Sequence, residues 1–264
     1  MDTLLIEKKY NDHNLLYCDL KQAFEKANIK IHFPISHQVL NDLSKRIAYI
    51  FDGIIYAARN DNLYSAFILY RSLLEHSFKG MYIVDKMVST MSDVSAENYQ
   101  KHYFISECLA EQAGILEMED LLKDNQVKTD FIKFLTTKIP SLQDFDKANQ
   151  QEISADIRQF NLKEIVKHLH SKYKQIASLR ATNHIIAQTL PEYSFVSTFT
   201  HGGPYAAVLM DKFVRENDIE NQLMKILQIS LTSTCVIKED FFMSYEIDKS
   251  VQDYIIKLQS LRAF

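Results

Sequence analysis

Residues 62–82 read NLYSAFILYRSLLEHSFKGMY, and the way this stretch is read decides the fold. Leu63, Ala66, Phe67, Tyr70, Leu73, Leu74, Ser77, Phe78 and Met81 recur at alternating steps of three and four, the spacing of one helical face. Ile68 and Leu69 widen the apolar arc, which suits a helix buried on more than one side. Asn60, Asp61 and Asn62 precede it, and any of the three has a side-chain oxygen able to cap a helix start. Gly80 weakens the pattern near its end. The spacing therefore predicts a central helix with three polar residues in it: Arg71, Glu75 and His76. Arg71 and Glu75 are one turn apart and able to pair. His76 lies about 140° round the helix from Arg71, so those two act together only across a shared cleft. The plain reading of the trio is a partly buried ion pair with a hydrogen-bonded core histidine beside it.

Working outward, Ser36 to Arg59 carries a strong helical stripe (Val39, Leu40, Leu43, Ile47, Ile50, Phe51, Ile54, Ile55), with Ser36 as the expected N-cap. The short turn at 59–62 makes it an antiparallel partner of the central helix. Before it, residues 3–28 read as a charged helix and 29–34 as a short extended piece. Together, 1–34 are expected to form a peripheral N-terminal arm. After a polar break at 92–96, helical patterns cover 97–123 and 127–138. Residues 141–161 are polar and poor in large apolar side chains, which predicts an exposed loop. Helical patterns return over 162–190, with Pro191 as the expected break, then over 204–217, 219–246 and 250–261. The expectation is one all-α domain over 1–264, a bundle of about eight to ten helices with no significant sheet.

Composition agrees. The chain has 264 residues, 47% of them hydrophobic, enough for a large core. Only 5 Gly and 4 Pro are present, too few for a turn-rich sandwich or barrel. A formal charge of −4 gives no whole-chain basic excess of the kind that coats nucleic acid. Cys18, Cys108 and Cys235 are odd in number and widely spaced, which fits free thiols in a reducing compartment. Neither a signal peptide nor a run approaching the ~20 apolar residues of a membrane span is visible. These features predict a cytoplasmic protein with no membrane association.

The second informative stretch is YSFVSTFTHGGP, residues 193–204. Ser197 and His201 are one helical turn apart. Gly202 and Gly203 suit a helix C-terminal stop, and Pro204 suits the first turn of the next helix. His201 would then sit at the negative end of a helix dipole, and the glycines would let backbone or ligand approach closely. A histidine there is either a proton carrier or a structural cap. HExxH, paired CxxC, Walker, GxGxxG and GxSxG patterns are all absent, so neither a metal nor a cofactor is expected.

The segments FILYRSLLEHSF and YSFVSTFTHGGP resemble a bacterial helical family of unknown function that pairs an Arg-x-x-x-Glu helix with a later Ser-x-x-x-His segment. The correspondence falls on Arg71, Glu75, Ser197 and His201. Arg71 and His76 also spell Arg-x-x-x-x-His, similar to the motif of HEPN (higher eukaryotes and prokaryotes nucleotide-binding) proteins, with Ser72 where Asn, His or Asp is common. HEPN proteins are helical, usually dimeric, and often RNA-cutting toxins or defence effectors. The HEPN resemblance implies Arg71 as the phosphate-binding residue and His76 as the acid/base; His201 is the other candidate acid/base, Glu75 would orient one of them, and Ser197, Gly202 and Gly203 are candidate binding positions. The expected function is a metal-independent ribonuclease in phage defence or a toxin–antitoxin pair, acting on RNA as a homodimer. The alternatives are a non-catalytic helical subunit that binds a protein partner, and a small-ligand binding protein.

Overall fold

In a computed structural model of the chain, residues 3–122, 157–174 and 180–246 are described, with 133, 134, 137, 252, 253 and 256. The fold is all-α. The helices are α1 (Thr3–Lys26), α2 (Pro34–Arg59), α3 (Leu63–Thr90), α4 (Val94–Asn98), a π-helical turn (Tyr99–Tyr103), α5 (Phe104–Leu121), α6 (Leu162–Tyr173), α7 (Arg180–His201), α8 (Pro204–Arg215) and α9 (Ile219–Phe242). The only β-type pairing among the described residues is an isolated antiparallel bridge between Ile31 and Tyr245.

Helix α3 is the hub, packing against α2, α4, α6, α7 and α9. Its start is set by Asn62, whose side chain accepts from Ser65 N at 3.0 Å. Asp61 turns the chain with a positive φ of 50°. Of the nine positions on the expected face, only Met81 is less than fully buried. The helix runs past the sequence estimate to Thr90 and stops where Met91 turns left-handed (φ 51°). Gly80 has a packing role: a Cβ built on it would lie 2.7 Å from Ile237 Cδ1, so α9 crosses α3 there at close range.

Three expectations change. First, α2 starts at Pro34, not Ser36. The caps come from afar: Asp93 accepts from Ile35 N at 3.2 Å and Ser36 N at 2.8 Å. Proline at the first helical position lacks the N–H that would otherwise need a partner. Second, Pro191 sits inside α7 without ending it. Its ring denies Ala187 a helical donor, but Ile186, Val196 and Phe199 on either side are buried in the core, and that packing carries the helix through. Third, the N-terminal segment is more than a peripheral arm. α1 buries Ile6, Tyr10, His13, Tyr17, Leu20 and Phe24, and Tyr17 and Phe24 meet Phe242 edge-on at 5.6 and 5.1 Å. Most of the expected 141–161 loop, and most of the expected 127–138 and 250–261 helices, lie outside the described residues. Phe160, at the end of that loop, is buried.

Helix α7 is fixed on α3 by aromatic packing. Phe67 stacks on Phe199 at 4.3 Å between centroids and 20° between planes, and it meets Phe195 edge-on at 5.4 Å. Tyr64 donates to the carbonyl of Phe199 at 2.7 Å. These contacts hold the Tyr193–Ser197 turn of α7 over the Arg71–Glu75 turn of α3.

Candidate functional site around Arg71

Arg71 projects from α3 toward α7. Its Nε donates to Ser197 Oγ at 3.0 Å and its Nη2 to the Tyr193 hydroxyl at 2.6 Å. The same Nη2 lies 3.0 Å from Glu75 Oε1. Tyr193 in turn donates its hydroxyl proton to Glu75 Oε1, and Ser197 donates to the Tyr193 carbonyl at 2.7 Å. The guanidinium also lies over the Tyr193 ring, 4.9 Å from its centre. Both charged side chains keep 25% exposure, so the pair is screened but reachable from solvent. Among the described residues, Nη1 of Arg71 and Oε2 of Glu75 make no hydrogen bond, so each charged group keeps one face for something else.

Tyr193 is the member that sequence reading missed. A signal was present: Tyr193, Ser197 and His201 fall at successive turns of one helix face. Burial, reinforced by the Glu75 carboxylate, pushes the Tyr193 hydroxyl up to about 12. At neutral pH it is therefore a proton donor beside an acceptor.

The expected histidines stand apart from this cluster. His76 directs Nδ1 to the Ser72 carbonyl at 2.7 Å, a bond within its own helix. Burial holds its pKa below the usual histidine value, and Lys79 and Arg46 push it the same way. Of the groups that act on it, Arg46 comes from α2 while Lys79, Glu75 and the Ser72 carbonyl lie on α3 itself, and neither Arg71 nor Tyr193 is among them. Lys79 is buried and donates to Tyr103 in the π-helical turn at 2.8 Å. His201 is exposed at the last turn of α7. Gly202 takes the left-handed conformation (φ 61°), its N–H bonding the Phe199 carbonyl at 3.3 Å. Gly203 is the N-cap position of α8 and Pro204 its first residue. So Glu75, expected to orient a histidine, meets Tyr193 instead. Ser197 joins Arg71 as expected, while Gly202 and Gly203 form a corner between helices. No group of three His, Cys, Asp or Glu side chains capable of holding a metal occurs among the described residues. None of their helices is long and apolar enough to cross a membrane.

A profile described as "Family of unknown function (DUF5677)" matches residues 37–221. The chain belongs to that family. The DUF5677 span runs from α2 to the start of α9 and contains every member of the Arg71 cluster. It leaves out α1 and most of α9, whose Phe241 and Phe242 close a second small core with Tyr17, Leu20 and Phe24. No curated protein and no solved structure matches the chain.

Proposed function

We propose that this DUF5677 protein is a HEPN-like, metal-independent ribonuclease whose working groups are Arg71, Glu75 and Tyr193. The observation that carries the reading is the shared contact of these three side chains at a solvent-reachable position, with a cation, a base and a protonated phenol in direct touch. Arg71 holds the non-bridging oxygens of a phosphodiester through its unbonded edge and stabilises the charge that builds there. Glu75 Oε2 takes the proton of the 2′-hydroxyl. The O2′–P bond forms, the P–O5′ bond breaks, and the Tyr193 hydroxyl protonates the departing O5′. Glu75 then releases its proton to water and Tyr193 takes one up from water, which restores both groups. The products are a 2′,3′-cyclic phosphate and a 5′-hydroxyl, and both side chains regain their starting states. A homodimer that sets two such sites along one RNA, in a defence or toxin role, belongs to the same proposal.

A second reading is a non-catalytic subunit for a protein partner. The exposed Tyr49 and Tyr56 on one face of α2 favour it, with Tyr205 and Val208 on α8. Synthetic RNA incubated with the protein in a chelator separates the readings. Cleavage to cyclic-phosphate ends that is lost in Arg71→Ala supports the nuclease. Intact RNA with folded wild-type protein leaves the partner-binding reading.

A further inference from the structure

A cleft opens between α2 and the π-helical turn that leads into α5. Such turns are rare and frequently mark functional sites. Within this one Tyr99 lies nearly parallel to Tyr103, with ring centres 5.2 Å apart and 22° between planes. Both rings line the cleft, together with Val39 and Leu43, which are buried and one turn apart on α2, and the exposed Phe104. The volume is about 150 Å³. An apolar cavity of ~150 Å³ takes a benzene-sized group, so the space suits a single apolar side chain.

Besides the two phenols, four polar side chains line the cleft: Asp42, Arg46, Gln100 and Glu107. Asp42 is paired with Lys45 at 3.7 Å. The side chains of Arg46, Gln100 and Glu107 make no hydrogen bond or ion pair among the described residues. Arg46 and Glu107 thus present opposite charges to one cleft without neutralising each other. Both act on the Tyr99 hydroxyl: burial pushes its pKa up to about 12, Arg46 pulls it down and Glu107 adds to the rise. The two charges therefore flank the same ring.

Lys79 gives an independent sign of a missing anion. It is 7% exposed, and its Nζ donates to the Tyr103 hydroxyl at 2.8 Å and lies 4.3 Å from that ring's centre. Among the described residues no carboxylate pairs with it. A buried ammonium calls for a counter-charge, and here only a phenol meets it. Because the Tyr103 oxygen accepts from Lys79, the phenol's own proton is left to donate. Arg46 and Tyr103 can then hold a carboxylate, while Glu107 can hold an ammonium.

We propose that this cleft binds a free α-amino acid with an apolar side chain. The carboxylate sits on Arg46 and the Tyr103 hydroxyl, the ammonium on Glu107, and the side chain against Val39, Leu43 and Phe104. Lys79 polarises the phenol and does not touch the ligand. The site shares no residue with the Arg71 cluster between α3 and α7.

Calorimetric titration of the full-length protein tests this. The probes are L-leucine with isopentylamine and 4-methylpentanoate, and L-phenylalanine with phenethylamine and 3-phenylpropionate. Each amine lacks the carboxylate of its amino acid, and each acid lacks the ammonium. The expected result is saturable binding of at least one amino acid, with its own amine and acid at least tenfold weaker, the scale of a lost charge-assisted hydrogen bond. Arg46→Gln and Glu107→Gln should each weaken that amino acid at least tenfold. Both residues are exposed, and unchanged melting curves verify folding. The comparison of probes uses wild-type protein alone, so it stands even where a variant fails to fold. The proposal is overturned by no binding of either amino acid, by an amine or acid that binds as tightly as its amino acid, or by wild-type affinity in either folded variant. RNA cleavage is not read in this experiment, so its outcome is independent of the Arg71 reading.

Discussion

Replacing Gly80 with alanine sets two opposed effects against each other, and the structure says which wins. Alanine in mid-helix is favoured over glycine by about 1 kcal/mol. The added methyl, however, would stand 2.7 Å from Ile237 Cδ1, with Ile237 Cγ1 and Leu43 Cδ1 at an ordinary 3.7 Å. Ile237 is fully buried, so its terminal methyl has little room to swing aside and α9 must give way. Overpacking of this kind costs about 1–3 kcal/mol. The net expectation for Gly80→Ala is a loss of about 1 kcal/mol, or a melting point lower by about 2–4 °C for a chain of this size. Ile237→Val alone removes the offending carbon and should cost about 0.5–1.5 kcal/mol. In the double variant the alanine methyl occupies the space that Cδ1 leaves. It should be at least as stable as Ile237→Val, a coupling of about 1–3 kcal/mol in favour of the pair. Urea unfolding of the four proteins, followed by circular dichroism, measures this. Additive losses would refute the close crossing of α3 and α9 at Gly80.

Gly114→Ala in α5 is the matching control, since nothing lies within 4 Å of its built Cβ, and it should gain about 0.5–1 kcal/mol in the same assay. Asp93→Ala removes both acceptors from the start of α2 and should cost about 1–2 kcal/mol in urea unfolding, while Ser36→Ala, whose hydroxyl does not cap, should cost less. Burial lowers the pKa of His76 in the folded state, so between that value and about 6.5 the unfolded chain binds more protons. Stability is then full above about pH 6.5 and falls as pH drops through the folded value, and His76→Gln should flatten that acid slope in melts taken from pH 7.5 to 5. Tyr193→Phe keeps the ring over Arg71 but removes one donor and one acceptor, and it should cost about 1 kcal/mol of stability by thermal melting.

The helix pattern was legible because apolar periodicity over α2 and α3 is strong and locally determined. Leu63 through Phe78 sit where their spacing places them. What escaped depends on contacts distant in sequence. Asp93 caps a helix that begins nearly sixty residues earlier, and no local motif near Ser36 announces it. Pro191 reads as a breaker because propensity rules describe isolated helices; burial on either side overrides it. The Arg71–Glu75–Ser197 grouping was within reach of a reading that paired two short motifs. Tyr193 was missed because a tyrosine on a half-apolar helix face looks like core, and only its distance to Glu75 shows that its hydroxyl is engaged. Asp85 and His168 were passed over for the same reason: each is unremarkable in its own helix, and folding α6 onto α3 joins them.

The nuclease reading rests on Glu75 acting as a base, and single-turnover cleavage of RNA in a chelator by wild type and Glu75→Gln tests that most directly. The substitution keeps the side chain's shape and an oxygen for Tyr193, so its melting point should stay within a few degrees of wild type. Its cleavage rate should fall by about 10²–10⁴-fold, the contribution of a positioned proton acceptor. Wild-type cleavage by folded Glu75→Gln, or no cleavage by the wild-type protein itself, would contradict the account.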